Sequence, residues 1–126
     1  TAEPPTSFHC KVRWQDTGEE LAALRLIGLL NEGWAREGLQ LDGVPVRCPV
    51  FAVEHLGLGA CLAEVLPESV SLADLKRFCT DGHTRTRVAE HLGWDAVKLK
   101  TLAASTAAVL ASSYILGTAS GDGDTL

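Results

Sequence analysis

The sequence predicts an α+β fold, and three observations carry that expectation. Short segments with strand-like character fall in the first half of the chain. One long amphipathic helix interrupts them. Beyond residue 70 almost every segment reads as a capped helix. The 126 residues suit one domain rather than two. A chain of this size buries roughly two thirds of the surface that its unfolded form exposes, so a core is within reach.

Residues 1–7 hold two prolines and no apolar pattern, and read as a loose lead-in. Residues 8–14 alternate, with Phe8, Cys10, Val12 and Trp14 on one face of a short strand. A turn at 15–18 leads into a helix over about 19–37. Leu21, Leu24, Ile27, Leu30 and Trp34 recur at steps of three and four. Ala22, Leu26 and Leu29 widen that side, so burial over much of the circumference is expected. Thr17 and Glu20 make a capping box at its start, and Gly38 is a natural stop.

Residues 39–52 read as extended segments around Pro45. Gly57 and Gly59 mark a turn, and 60–66 form a mostly apolar strand ended by Pro67. Ser71 caps a helix over 72–79, with Asp74 at its third position. A short helix covers about 85–92 and stops at Gly93. Asp95 caps the last long helix, 96–116, which ends at Gly117; residues 118–126 read as a loop.

Composition excludes several classes. The net charge is −5 and no Lys/Arg run exceeds two residues, which argues against a nucleic-acid partner. Cys10, Cys48, Cys61 and Cys79 contain no CxxC pair, and no Cys/His spacing fits zinc. Reduced thiols and no signal peptide make a cytoplasmic protein the simplest reading. With no methionine and a threonine at position 1, the chain reads as a piece of a longer protein. Residues 101–119 carry no charge and are long enough to span a bilayer. Their richness in Ala, Ser and Thr favours a buried helix of a soluble protein instead, so no transmembrane segment is expected.

The run Gln15-Asp16-Thr17-Gly18-Glu19-Glu20-Leu21-Ala22-Ala23-Leu24-Arg25 resembles a signature of the phosphoinositide 3- and 4-kinases. There a G-D-D-L-R-Q-D-x-L-x-L-Q run closes a strand and opens the main helix of the N-lobe. Leu26-Ile27-Gly28-Leu29-Leu30-Asn31 is similar to the family's L-I-R-L-M-D, and Trp34-Ala35-Arg36-Glu37-Gly38-Leu39-Gln40-Leu41 to its W-x-x-E-G-L-D-L. Pro45-Val46-Arg47-Cys48 resembles P-Y-x-C, and a slightly long loop follows over 49–59. Ala63-Glu64-Val65-Leu66 resembles the I-E-V-V hinge, and Ser71-Leu72-Ala73-Asp74-Leu75 the segment after it. Residues 111–117 are similar to the A-T-Y-V-L-G that leads into the catalytic loop G-I-G-D-R-H-x-D-N; residues 76–100 match weakly. The resemblance implies part of a bilobal protein-kinase-like fold of the phosphoinositide 3-kinase type. The end of the N-lobe and the hinge would cover about 8–66, and the helical start of the C-lobe 67–126.

Phosphoryl transfer depends on positioning and on neutralising charge around phosphates and metal ions. By the resemblance, Ser120 stands where the family has the Asp that helps activate the attacking hydroxyl, and a serine hydroxyl is no base near neutral pH. Gly121 and Asp122 replace the family's Arg and His, and Thr125 its metal-binding Asn. Asp122 and Asp124 are the weak candidates for magnesium; otherwise this loop is an ordinary solvated turn. Upstream, Gly18 replaces the signature Arg, Glu20 its second Asp, and Val46 the hinge-side Tyr. The family's phosphate-covering loop and catalytic Lys precede the first matching strand, and its D-F-G follows the catalytic loop. No catalytic residue is expected here.

Adenine recognition in this family uses backbone groups, which side-chain changes need not abolish. By the resemblance Ala63, Glu64, Val65 and Leu66 would line the adenine, with the Glu64 carbonyl and the Leu66 amide facing it. The competing reading is a plain strand ending before Pro67. Two functions from different classes follow. The first is a catalytically degenerate, pseudokinase-like segment, a scaffold or protein-interaction module. Its partners would be proteins or the remaining domains of a larger chain, with peripheral membrane contact arising through that parent. It needs no cofactor, although ATP and magnesium stay open. The second is a fragment of an active phosphoinositide or protein kinase, an ATP-dependent phosphotransferase with unconventional residues. An unrelated helical domain is the third reading. Glu54, His55 and His83 read as loop or turn residues, and Trp14, Trp34 and Trp94 as core or interface anchors.

Overall fold

The structure is a computed structural model that describes residues 7–12, 18–57, 59–67, 69–77 and 83–118. Its fold is α+β. Strand β1 (Ser7–Val12) is followed by helix α1 (Gly18–Arg36), then β2 (Gln40–Leu41), β3 (Val44–Pro45), β4 (Val53–Gly57) and β5 (Ala60–Val65). Three helices complete it: α2 (Leu72–Arg77), α3 (Thr84–His91) and α4 (Ala96–Leu116). Two compact units divide the described residues. One draws on Thr1–Leu29 and Pro49–Ser69, the other on Leu30–Cys48 and Val70–Leu126, so α1 begins in the first and ends in the second.

The first unit holds a three-stranded antiparallel sheet in the order β1-β5-β4. The apolar run of β5 takes the central place, where Cys61 and Ala63 are buried. It pairs with β1 from Ser7↔Val65 to Val12↔Ala60. On its other side it pairs with β4, from Val53↔Ala63 to Gly57↔Ala60, with a bulge between His55 and Gly57. Gly57 and Gly59 turn this hairpin with φ of 83° and 75°, a region that residues with a Cβ avoid. Strand β4 corrects the sequence reading, which left 49–59 as a loop with Glu54 and His55 in it. Val53–Gly57 lacks clean alternation, and what makes it a strand is the partner β5 beyond the turn.

The second unit is built on a tight hairpin and long helix. Asp42 and Gly43 join β2 to β3 with φ of 53° and 82°, the paired left-handed geometry of a two-residue hairpin turn. Helix α4 packs against both of these strands, and α2 packs against α3. Ala104, Ala108 and Ser112, at four-residue steps, form the buried line of α4. The caps are where residue chemistry places them. The Ser71 hydroxyl accepts from the Asp74 amide at 3.0 Å and donates to the Asp74 carboxylate at 2.8 Å. The Asp95 carboxylate accepts from the amides of Val97 and Lys98 at 2.8 and 3.2 Å, and Gly117 ends α4 at φ 65°.

Burial departs from expectation in both long helices. Leu26 and Leu29 of α1 are exposed, Leu29 at 61%. Along α4, Leu102, Leu110, Tyr114 and Ile115 are exposed, Tyr114 at 88%. Periodicity reports an apolar stripe, but burial requires an opposing layer, and among the described residues α4 is buried only along Ala104, Ala108 and Ser112. By length and composition α4 could cross a membrane. Trp94 is 63% exposed and is no core anchor of this chain; Trp34 is half-buried. Trp14 and Thr17, and with Thr17 the capping box, lie outside the described residues.

Candidate functional site

The end of β5 carries the hinge-like segment. Ala63 is buried, Glu64 and Val65 are half-buried, and Leu66 emerges past the strand into the exposed Pro67 turn. In an antiparallel strand, the amide and carbonyl of one residue face the same neighbour, and successive residues alternate. The Glu64 amide donates to the Ala52 carbonyl at 2.8 Å, so both backbone groups of Glu64 face the β4 side. Regular pairing would return a bond from the Ala52 amide to the Glu64 carbonyl. Instead the Ala52 amide donates to the Glu64 carboxylate, at 2.9 Å to Oε2. The side chain thus stands in for the main chain of its own residue. The only sequence signal for this was an acid inside an apolar run, Ala60-Cys61-Leu62-Ala63-Glu64-Val65.

A second polar cluster, in the other unit, escaped the sequence reading. The Asn31 carboxamide on α1 grips Cys48 from both sides of its backbone. Its Nδ2 donates to the Cys48 carbonyl, and its Oδ1 accepts from the Cys48 amide, each at 2.8 Å. Cys48 follows the β2–β3 hairpin, so these bonds fix the chain leaving it. The signal was available: Leu24, Ile27 and Trp34 continue through position 31 at helical steps, and Asn31 interrupts that apolar row. Burial pushes the Cys48 thiol up from its ordinary value, and the nearby Ser112 hydroxyl acts in the opposite direction. That hydroxyl is 2% exposed and meets no partner in full hydrogen-bond geometry among the described residues. Its relation to the thiol is therefore a contact that biases titration, not a formed bond. Cys48 is buried and kept as a neutral thiol, which makes it a poor nucleophile near pH 7.

The remaining candidates are dispersed. Ser120, Gly121, Asp122, Asp124 and Thr125, the stretch that resembles a catalytic loop, lie outside the described residues. Glu54 and His55 project from β4 as exposed strand residues, and His83 is exposed at the start of α3. Among the described residues no three His, Cys, Asp or Glu side chains gather as a metal site. Lys100 of α4 pairs with Asp42 of the hairpin turn at 2.7 Å. The hydrogen bond and charge of Lys100 hold the Asp42 carboxyl below the usual range, against a small opposing effect of desolvation. Both side chains are exposed, so the pair orients α4 on the hairpin more than it stabilises the fold.

Comparison of the chain with protein-family models, with curated proteins and with solved structures finds no match.

Proposed function

We propose that this chain is a segment of a catalytically degenerate phosphoinositide 3-kinase-like domain, serving as a scaffold or interaction module within a larger protein, and that its hinge backbone keeps the capacity to take a purine base. The observation that carries this reading is the setting of two motif-like runs. The run resembling G-D-D-L-R-Q-D falls between the end of β1 and the start of α1, as the family's signature closes a strand and opens the main N-lobe helix. The run Ala63-Glu64-Val65-Leu66 leaves the central strand of the sheet, as a hinge should. The degenerate half of the proposal rests on sequence: Ser120, Gly121 and Gly18 stand where charged chemistry would be required.

The test is thermal stability and calorimetry of the protein in its longest natural form, with ATP, with adenosine, and with and without magnesium. Equal, magnesium-independent stabilisation by ATP and adenosine is the expected result, since a ligand of the native state raises its stability by RT ln(1 + L/Kd), where L is the free ligand concentration. No shift with either at millimolar concentration removes base recognition and leaves a scaffold alone. A shift that requires magnesium favours the active-kinase alternative; Asp122→Asn and Asp124→Asn would then abolish ATP turnover.

A further inference from the structure

We propose, independently of the kinase-like reading, that the outward face of α1 is an interface between two copies of this chain, paired antiparallel about a two-fold axis between Leu26 and Leu29. Helix α1 carries two rows of residues with opposite settings. Leu24, Ile27, Asn31 and Trp34 form the inward row; all are half-buried, and Asn31 is bonded to the Cys48 backbone. Ala22, Leu26, Leu29 and Gly33 follow one another at steps of four, three and four, nearly half a turn around the helix from that row. Leu26 is 46% and Leu29 61% exposed, and Ala22 is exposed as well. A Cβ built on Gly33 would meet nothing within 4 Å. Apolar residues at alternating steps of three and four make the seam of a paired helix.

Charge selects a second copy as the occupant of this face. Arg25 and Glu32 flank the seam on the same side, both exposed, and neither forms an ion pair among the described residues. Seven residues separate them, about 10 Å along the helix axis, too far to neutralise each other. In an antiparallel pair, Leu26 faces Leu29 of the second copy, and Ala22 faces its Gly33. That register sets Arg25 beside Glu32 of the second copy, and the two-fold axis repeats the pair. A parallel pair would set Arg25 beside Leu30 instead and leave both charges unmet. Ala22 and Gly33 bracket the two leucines with small residues, which lets the helices close on the centre of the seam. A glycine inside a helix is less stable than an alanine there, and no described neighbour requires one at position 33. A second helix lying close against it does. Four layers from a single helix cover less than a standard interface, so the association is weak and reversible.

The test is sedimentation equilibrium of the full chain at concentrations up to about 1 mM, with far-UV circular dichroism to establish that each variant is folded. The parent chain should associate reversibly to a dimer. Arg25→Glu sets acid against acid at both flanking positions, and Glu32→Arg sets base against base; each alone should weaken association about 10-fold. An equimolar mixture of the two variants should return to within about 3-fold of the parent, because an R25E chain meets opposite charge on an E32R chain. The double variant R25E/E32R should do the same with itself. Recovery in the mixture distinguishes a charge contact across the seam from damage to the fold, since one chain cannot repair the other. A parent chain that stays monomeric at about 1 mM overturns the proposal and leaves the face to another occupant. A dimer that R25E does not weaken overturns it too, as does a mixture that associates no more tightly than either variant alone.

Discussion

Asn31 and Glu64 do opposite things with the same kind of contact. Each side chain bonds to the backbone of a distant segment, Asn31 to Cys48 and Glu64 to Ala52. A carboxamide carries a donor and an acceptor, so Asn31 satisfies the amide and carbonyl of Cys48 together and closes that residue off. A carboxylate only accepts, so Glu64 satisfies the Ala52 amide and leaves over the carbonyl that the amide would have used. Side-chain substitution for a main-chain partner thus occupies both backbone groups of Cys48 but only one side of the Ala52–Glu64 pair.

The comparison breaks most visibly at Asn31. Asn31→Ala removes both of these bonds to the Cys48 backbone beside a buried thiol, and should cost about 2–4 kcal/mol in denaturant unfolding. Asn31→Asp retains the acceptor for the Cys48 amide but sets a carboxylate against its carbonyl, and should recover little of that loss. If Asn31→Ala unfolds at the parent midpoint, the clamp is ornamental. Asp95→Ala removes two amide contacts at the start of α4 and should cost about 1 kcal/mol by the same measurement.

Ser112→Ala should go the other way. It removes a buried hydroxyl that has no bond to lose, and a gain of up to about 1 kcal/mol is expected. A loss of similar size would mean that the hydroxyl is bonded to the Cys48 thiol after all. The smallest effect is at Lys100, where the expected change is in titration. Lys100 lowers the folded-state pKa of Asp42, so its contribution is present above the ordinary aspartate range and is lost as pH falls through the depressed value. Lys100→Ala should raise the Asp42 pKa toward the usual range, read by carboxyl chemical shifts, and should remove that part of the acid-side loss.

What could be read in the sequence follows the range of the interaction. The bounds of α4 were legible because Asp95 and Gly117 act on backbone groups within a few residues of themselves. The same holds for Ser71 with Asp74. Strand β4 was not legible, because its identity comes from β5 across the turn. The exposure of Leu29 and Tyr114 was not legible either, since an apolar face says what a residue tolerates and not what covers it. At the candidate site, sequence pointed to the backbone of Glu64 and Leu66 but not to the side chain of Glu64. An acid in an apolar strand has no local partner to announce it, and neither has Asn31 on its helix.

The junction between α3 and α4 sets a rule for how this chain tolerates change in length. Gly93 and Trp94 both adopt left-handed backbone, with φ of 66° and 56°, and their amides return to the carbonyls of Glu90 and Ala89 at 2.9 and 2.8 Å. The next residue, Asp95, already caps α4. One helix is closed and the next is opened with no slack between them, and a tryptophan accepts a conformation that normally belongs to glycine. A single residue inserted here would not lengthen a loop. It would separate the stop from the start and misalign both helices.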